Sequence, residues 1–478
     1  PSPAPILQPA TLVHGEPRLD QFVINGGSRL CGRLTVKGSK NATLPLMAAA
    51  LLTDRPVALG DVPDLADIRN MQRLLGELGC KIEFAPGAGP ATAGGSMTIH
   101  SCDESQSHAR YDIVRTMRAS ICVLGPMLAK RGFARISMPG GCAIGDRPVD
   151  LHLRGLEALG ARISLHQGDI VASVPGIGGG GGAATFGRLK GARIFLGGPM
   201  GSTVLGTANV MSAAALADGQ TIIESAACEP EVVDLARLLT SMGARIRGAG
   251  SPRIIIDGVE SLGGAQHRVI PDRIEAGTYL CAAGMTNGDI TLDNCPMDAL
   301  MAAVDVLQRI GMNIAIEGGS ADPMRVSARV TCSRVLKPAE ITTQPHPGFP
   351  TDLQAQMVAL LCLADGNSIV TERIYPERFL HVAELSRMGA KIVRQGPTAV
   401  VTGVRKLVGA PVMASDLRAS ACLVIAGLAA EGQTIVHRVY HLDRGYEQME
   451  DRLRLLGANI ERVKEANPTA AAAETVAV

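Results

Sequence analysis

One short phrase returns six times along the 478-residue chain, and that repetition limits the fold more than anything else in it. The phrase is a helical stretch closed by glycine and followed by an apolar strand. It reads LLGELGCKIEF at 74–84, GLEALGARISL at 155–165, LLTSMGARIRG at 238–248, VLQRIGMNIAI at 306–316, ELSRMGAKIVR at 384–394 and RLRLLGANIER at 452–462. Its glycines (Gly79, Gly160, Gly243, Gly311, Gly389, Gly457) stand about 76 residues apart on average. That period is too long for a solenoid and suits small α/β units. Glycine ends many helices by itself, but six copies of G-(A/C/M)-x-I with matching flanks go beyond chance capping.

A second phrase lies about two dozen residues upstream of most copies: an Ala/Leu-rich helix, a turn and a β-branched strand. LADGQTIIESA (216–226), MTNGDITLDNC (285–295), LADGNSIVTER (363–373) and AAEGQTIVHRV (429–439) are clear, and LLTDRPVALGD (51–61) and LAKRGFARISM (128–138) are looser. A further short strand follows the first phrase, as in SMTIHS, DIVASV, PRIIIDGV, MRVSARV and TAVVTGV. Each unit thus reads helix, strand, helix, strand, strand, which predicts the α/β class. One core for six units would exceed the usual size of a domain, so two lobes of three units are expected. The grammar also accounts for a glycine content of 55 residues, about 12% against a typical ~7%.

Shared residues in a repeated architecture build scaffold, and unshared polar ones are candidates for function. The Ala/Leu-rich helices open differently: GSKNATLP (38–45), VRTMRAS (114–120), MGSTVLGTA (200–208), PDRIEAGT (271–278), FPTDLQAQ (349–356) and ASDLRAS (414–420). Lys40, Arg118, Ser202, Asp272 with Arg273, Asp352, and Asp416 with Arg418 therefore occupy comparable helix starts. An Asp there reads either as a cap or as a functional group. Lys40 and Arg118 oppose the helix dipole, which points to an anion beside them. The loop SMPGGCAIGDRPVDLH (137–152) puts Cys142 after two glycines and five residues before Arg147, a setting that can lower a thiol pKa. Cys122, Cys281, Cys362 and Cys422 fall in apolar patterns and read as inert buried thiols. Arg444 stands beside Gly445 in the corresponding last loop, YHLDRGYEQMED (440–451).

Composition excludes several classes. Lys plus Arg number 46 against 45 Asp plus Glu, and aromatics are 3% with no Trp, so neither a nucleic-acid nor a membrane-surface role is expected. Eleven cysteines without a CxxC fit a reducing, cytoplasmic setting. His437 and His441 share a helical spacing, but no HExxH surrounds them, so no metal is expected. No apolar run reaches the ~18 residues of a membrane span. Residues 1–20 lack the pattern of a signal peptide and read as a flexible arm. GIGGGGGAATFG (176–187) contains GxGxxG, yet no apolar helix follows, and it reads as a flexible insert instead of a phosphate loop.

The motifs GSKNATLPLMAAALL, YDIVRTMRAS, MPGGCAIGDRPVDLHLRGLEALGA, IIESAACEPEVVDLA, VIPDRIEAGTYL, TTQPHPGFPTDLQAQ, ASDLRASACLVIAGL and YHLDRGYEQMEDRLRLLGANI resemble those of the UDP-N-acetylglucosamine enolpyruvyl transferases, in family order from about residue 21 to 464. The resemblance implies an inside-out α/β barrel of two lobes, each of three βαβαββ units. Its expected divisions are an arm at 1–20, a lobe of 21–39 plus 272–478, and a lobe of 40–271, with crossings near 39 and 271. It implies transfer of the enolpyruvyl group of phosphoenolpyruvate to the 3′-hydroxyl of UDP-N-acetylglucosamine with release of phosphate. No metal or organic cofactor is implied; the partners are the two small molecules, and a homo-oligomer is left open. Cys142 is implied as proton donor and site of a covalent adduct, and Asp352 as base or orienting group at the sugar hydroxyl. Lys40, Arg147 and Arg444 with Asn41 match the phosphoenolpyruvate cluster. Asn41, Arg118, Arg147, Pro148, Val149, Asp150, Leu151, Gly201, Asp352 and Ile374 match the sugar-nucleotide side, and Glu229, Arg378, Asp416 and Leu417 lie near it.

The chain departs from the family at GGPMGST (197–203), where Pro199 replaces a usual Ser and Gly197 a frequent basic residue. Contacts to the nucleotide there would fall to backbone groups. The alternative expectation is a carboxyvinyltransferase acting on another nucleotide or on a phosphorylated acceptor.

Overall fold

The computed structural model describes residues 20–139, 149–176, 186–333 and 335–465. All six repeat glycines take left-handed backbone, with φ between +88° and +112°. A side chain would be strained there, so each glycine both stops its helix and aims the next strand. The expected strands form at Val57–Val62, Phe133–Ser137, Gln220–Glu224, Asp289–Cys295, Asn367–Thr371 and Gln433–His437.

Six separate four-stranded sheets result, four sharing one chain order and two filling the same places with a strand from elsewhere in the chain. In one, Glu340–Thr342 runs parallel to Asn367–Thr371, which pairs antiparallel with Thr398–Thr402, which in turn pairs antiparallel with Lys391–Gln395. Chain order one, two, three, four thus becomes spatial order one, two, four, three. Several first strands escape a sequence reading because they are so short, three residues at Arg193–Phe195 and two at His108–Ala109. No period-2 pattern is visible over such lengths.

Three sheets borrow a strand from far along the chain. Cys31–Thr35 is the first strand beside Asp289–Cys295, and Ala265–Arg268 is the first strand beside Val57–Val62. Asp20–Asn25 sits between Gln433–His437 and Asn459–Lys464, supplying the strand that the last unit lacks.

The Ala/Leu-rich helices are buried along nearly their whole circumference: Lys40–Ala49, Leu124–Arg131, Val204–Ala214, Arg273–Met285, Gln354–Leu361 and Leu417–Ala429. Helices apolar all round belong inside, which is the sense in which the architecture is inside-out. Small residues let these helices approach closely. A Cβ at Gly125 would stand 2.3 Å from the Asn209 carbonyl oxygen. The second helix of each unit shows a single apolar stripe, as in Ala66–Glu77, where Ile68, Met71, Leu74 and Leu75 are buried. The sheets cover the outside and do not close into one hydrogen-bonded barrel.

Two hydrophobic cores form. One draws on residues from Ala42 to Ile270, and the other on Phe22 to Val36 together with Ile274 to Ile460. Between them Gly38 pairs with Pro271 as an isolated antiparallel bridge. Among the described residues no helix is long and apolar enough to cross a membrane. The glycine-rich insert from 177 to 185 and the arm before Asp20 lie outside the described residues.

Candidate active site

Helix starts from both cores meet where the backbone crosses. Lys40 opens helix Lys40–Ala49 behind Ser39, whose Oγ accepts from the Ala42 N–H at 3.3 Å. Asp272 caps helix Arg273–Met285, its Oδ1 accepting from the Ile274 and Glu275 N–H groups at 2.8 and 3.0 Å. Its other oxygen accepts from the Lys40 N–H at 3.2 Å. Asp416 caps helix Leu417–Ala429 through the Arg418 and Ala419 N–H groups. Asp272 and Asp416 therefore resolve toward capping.

Asp352 does not cap. It lies in the short 3-10 turn Thr351–Leu353, with Oδ1 2.8 Å from Arg378 Nη1 and Oδ2 2.7 Å from Arg418 Nη2. Burial pushes its carboxyl up, but the Arg418 and Arg378 charges outweigh burial and hold it well below the usual carboxylate value. A quarter of the Asp352 side chain still reaches solvent, so it remains open to a ligand on one side. Arg418 is itself buried and also donates to the Tyr446 hydroxyl at 3.2 Å.

The anion expected beside Lys40 is present within the chain. Lys40 Nζ lies 2.8 Å from Asp67 Oδ2, and Arg444 Nε lies 3.0 Å from Asp67 Oδ1. Lys40 and Asp67 belong to one core's helices, whereas Arg444 ends the 3-10 turn Val439–Arg444 of the other core. Burial raises the Asp67 carboxyl, and the Lys40 and Arg444 charges overcome that and keep it below its usual value.

Nearby, Arg273 Nε lies 2.9 Å from Glu231 Oε1, again between cores. Glu229 Oε1 accepts from the His346 N–H at 3.3 Å, and its Oε2 is buried without a hydrogen-bond partner. Burial is the main reason the Glu229 carboxyl is raised, with Glu231 adding to it and Arg273 opposing. The Ile374 N–H donates to Glu372 Oε1 at 2.8 Å, which fixes the turn after strand Asn367–Thr371. Leu417 packs on Gly445, where a Cβ would come within 2.6 Å of Leu417 Cδ2, and so it supports the backbone next to Arg444.

The sugar-nucleotide candidates form a second group. Val149 is buried and Asp150 exposed at the start of helix Asp150–Ala158. Leu151 would lie 3.2 Å from a Cβ at Gly198, and Gly198 and Gly201 exchange two backbone hydrogen bonds. Gly201 takes φ +93° and would bring a Cβ 3.3 Å from Pro345 of the other core. The GGPMGST turn thus presents backbone toward Pro345. Asn41 is half-buried beside Lys40, and Arg118 opens the 3-10 turn Arg118–Val123 packed on the same helix. Cys142, Arg147 and Pro148 lie outside the described residues.

Asp67 and Glu231 lie outside the inner-helix openings that single out Lys40 and Arg118. Both stand in the first turn of outer helices, as Asp150 does, and that shared place is their signal in the sequence. His437 pairs its Nδ1 with Glu465 at 2.8 Å, and no group of three or more His, Cys, Asp or Glu among the described residues could hold a metal. A cavity of about 140 Å³ lies beside His346, Pro347 and Asp298, apart from Lys40 and Asp352. Ion pairs link the two cores here. Lys40, Arg273, Arg378, Arg418 and Arg444 stand against Asp67, Glu231 and Asp352, a setting for a small molecule with several negative charges.

Residues 24–453 match the EPSP synthase (3-phosphoshikimate 1-carboxyvinyltransferase) family. The chain is 50% identical over 447 residues to a UDP-N-acetylglucosamine 1-carboxyvinyltransferase of Anaeromyxobacter sp. (strain Fw109-5), covering 93% of this chain and 100% of that one. It is also 50% identical over 445 residues to the enzyme of that name from Novosphingobium aromaticivorans, with 93% and 99% covered. Among solved structures, the enolpyruvyl transferase NikO from Streptomyces tendae superposes with a TM-score of 0.80 at 23% identity, covering 94% of this chain and 100% of that one. An EPSP synthase from Acinetobacter baumannii gives 0.68 at 18% identity, with 93% and 100% covered. These two share the fold. On the sequence matches, this chain belongs to the EPSP synthase family and, within it, to the UDP-N-acetylglucosamine 1-carboxyvinyltransferases.

Proposed function

We propose that this enzyme transfers the enolpyruvyl group of phosphoenolpyruvate to the 3′-hydroxyl of UDP-N-acetylglucosamine and releases phosphate, the first committed step of peptidoglycan precursor synthesis. The observation that carries the reading is the meeting of Lys40 and Arg444, from different cores, on one carboxylate. Two cations held that way match an anion with oxygens on adjacent corners.

In this reading the cores are two lobes, 40–271 and 21–39 plus 272–478, which close over the substrates and expel water. Lys40, Arg147 and Arg444, with Asn41, take the phosphate and carboxylate of phosphoenolpyruvate. Arg118, Arg147 to Leu151, Gly201 and Ile374 hold the sugar nucleotide. Cys142 delivers a proton to C3 as the sugar oxygen bonds to C2. Return of a C3 proton to the Cys142 thiolate then accompanies cleavage of the C2–phosphate bond and restores the double bond, the hydroxyl proton leaving with the phosphate. Asp352, held ionised by Arg378 and Arg418, is too weak a base to take a hydroxyl proton far ahead of bond formation. Its part is to orient the 3′-hydroxyl, with the proton leaving as the C–O bond forms. Glu229, Asp416 and Leu417 line or brace the same cleft. The chemistry calls for no metal or cofactor, and it suits a cytoplasmic enzyme.

Phosphate release measured across a panel of acceptors tests the reading. Turnover with UDP-N-acetylglucosamine and none with shikimate 3-phosphate is expected; no turnover with the sugar nucleotide overturns it. Cys142→Ser should lose most activity and resist alkylation by the epoxide fosfomycin. Mass-shifting at the wild-type rate would remove Cys142 from the mechanism.

A further inference from the structure

We infer that Asp67 is a positioning residue that spaces Lys40 and Arg444 as a bound phosphate would and limits how tightly the released phosphate is held. The inference rests on the assignment of Lys40 and Arg444 to phosphoenolpyruvate given above.

Asp67 is 2% exposed and sits in the first turn of Ala66–Glu77, a helix pinned to its core by Ile68, Met71, Leu74 and Leu75. Arg444 reaches both of its oxygens, Nε on Oδ1 at 3.0 Å and Nη2 on Oδ2 at 3.5 Å, and the Lys40 ammonium shares Oδ2 at 2.8 Å. Without it, two like charges from different cores would face each other and repel. With it, both cations are held against one carboxylate, whose oxygens are spaced much as two oxygens on one phosphoryl group are, so the site is set before substrate enters.

The same carboxylate stays in place after substrate arrives, because its helix is fixed. Its negative charge then opposes every anion that occupies the site, including the phosphate that must leave. An anion site built from cations alone would bind substrate and product phosphate with equal enthusiasm and slow each turnover at release. Asp67 thereby exchanges ground-state affinity for turnover.

Asp67→Asn keeps the shape and removes the charge. Inorganic phosphate, used as product inhibitor, should bind about tenfold tighter, and kcat should fall about tenfold or more while the KM for phosphoenolpyruvate does not rise. A purely structural role would raise KM and leave the phosphate inhibition constant alone. Asp67→Glu keeps the charge and serves as the second variant: its phosphate inhibition constant should equal that of wild type, even where the longer arm lowers kcat. An unchanged phosphate constant in Asp67→Asn, or an equal tightening in both variants, overturns the inference. Lys40→Met separates the two claims. Unchanged phosphoenolpyruvate binding there removes the site assignment and this inference with it, whereas lost binding there with a wild-type phosphate constant in Asp67→Asn removes only the role of Asp67.

Discussion

Arg452 is fully buried in helix Met449–Leu455, and its replacement by Met should break the junction between the cores. Its guanidinium donates to the Thr35 and Pro90 carbonyls at 2.8 Å each and to the Tyr279 hydroxyl at 3.2 Å, and it pairs with Glu275 at 3.3 Å. Pro90 belongs to the other core's side of the crossing. Met fills the space of the alkyl stem but leaves Glu275 with only the Lys37 N–H, and takes the Arg452 donor from two carbonyls. Breaking a buried pair in this way costs about 3–5 kcal/mol. At about 1.4 kcal/mol per tenfold, local opening becomes roughly two to four orders of magnitude more frequent. The cost also has a pH signature. Burial already pushes the Glu275 carboxyl up and Arg452 pulls against it, so removing Arg452 raises it further. A raised carboxyl keeps its proton in the folded state when the unfolded chain has lost it, so stability falls as pH rises above about 4.3. The penalty should therefore be smaller at pH 5 than at pH 8. Hydrogen exchange read on peptides from Arg273–Met285 and Cys31–Thr35 measures it, corrected for the intrinsic pH dependence of exchange. Local exchange is preferable to a melting curve because two cores need not unfold together. Adding Glu275→Gln should recover part of the loss. Exchange quickened less than fivefold, or a penalty equal at both pH values, would refute the reasoning.

Three further outcomes are expected. Asp67 and Asp352 are both held below the usual carboxylate value, so their stabilisation is complete above about pH 4 and disappears as pH falls through their folded-state values. Acid unfolding followed by circular dichroism should be shallower in Asp352→Asn, and an unchanged slope would count against the paired geometry. Burial pushes the thiol of Cys80 to about 11 and those of Cys122, Cys281, Cys295 and Cys362 to about 12. Iodoacetamide at pH 7.5 should label exposed Cys31 and Cys102 in the native protein and reach these five only after denaturation; native labelling of Cys281 would contradict its burial. A Cβ at Gly38 would stand 1.8 Å from the Asp61 carbonyl oxygen, so Gly38→Ala must shift backbone at the crossing. A loss of about 1–3 kcal/mol follows, read as a lowered thermal midpoint, and a midpoint within a degree of wild type would mean that the crossing yields easily.

The repeat was legible because its key residue does a job only glycine does well: all six copies sit at left-handed φ. The inner helices could be read for a similar reason, since Ala- and Leu-rich stretches without a polar face have nowhere to go but inside. The borrowed strands were not legible. Nothing local in Asp20–Asn25 says that it lies between Gln433–His437 and Asn459–Lys464, because strand pairing is a property of the closed chain. At the site, Lys40 and Arg118 stood out because a cation at a helix start is electrostatically wrong unless something answers it. Asp67 did not stand out, because an acid in a first helical turn is the ordinary case. Only three dimensions show that it answers two cations at once. Asp352 likewise looked like another cap until Arg378 and Arg418 were seen to grip it.

Those borrowed strands impose a timetable on synthesis. The strand Asp20–Asn25 leaves the ribosome early, yet both of its neighbours lie more than 400 residues downstream. At about 5–20 residues per second, it waits roughly 20 to 80 seconds with both edges open. The intervening stretch that builds the Ala42–Ile270 core contains all four strands of each of its three sheets and can finish first. The later core cannot close until almost the last strand has been made. During that interval the nascent chain is a folded body with an unpaired β-segment ahead of it, a species that chaperones recognise and that neighbouring polysomes can cross-pair. Abundance in the cell should therefore respond to translation rate across residues 271–464, even where the finished enzyme is stable.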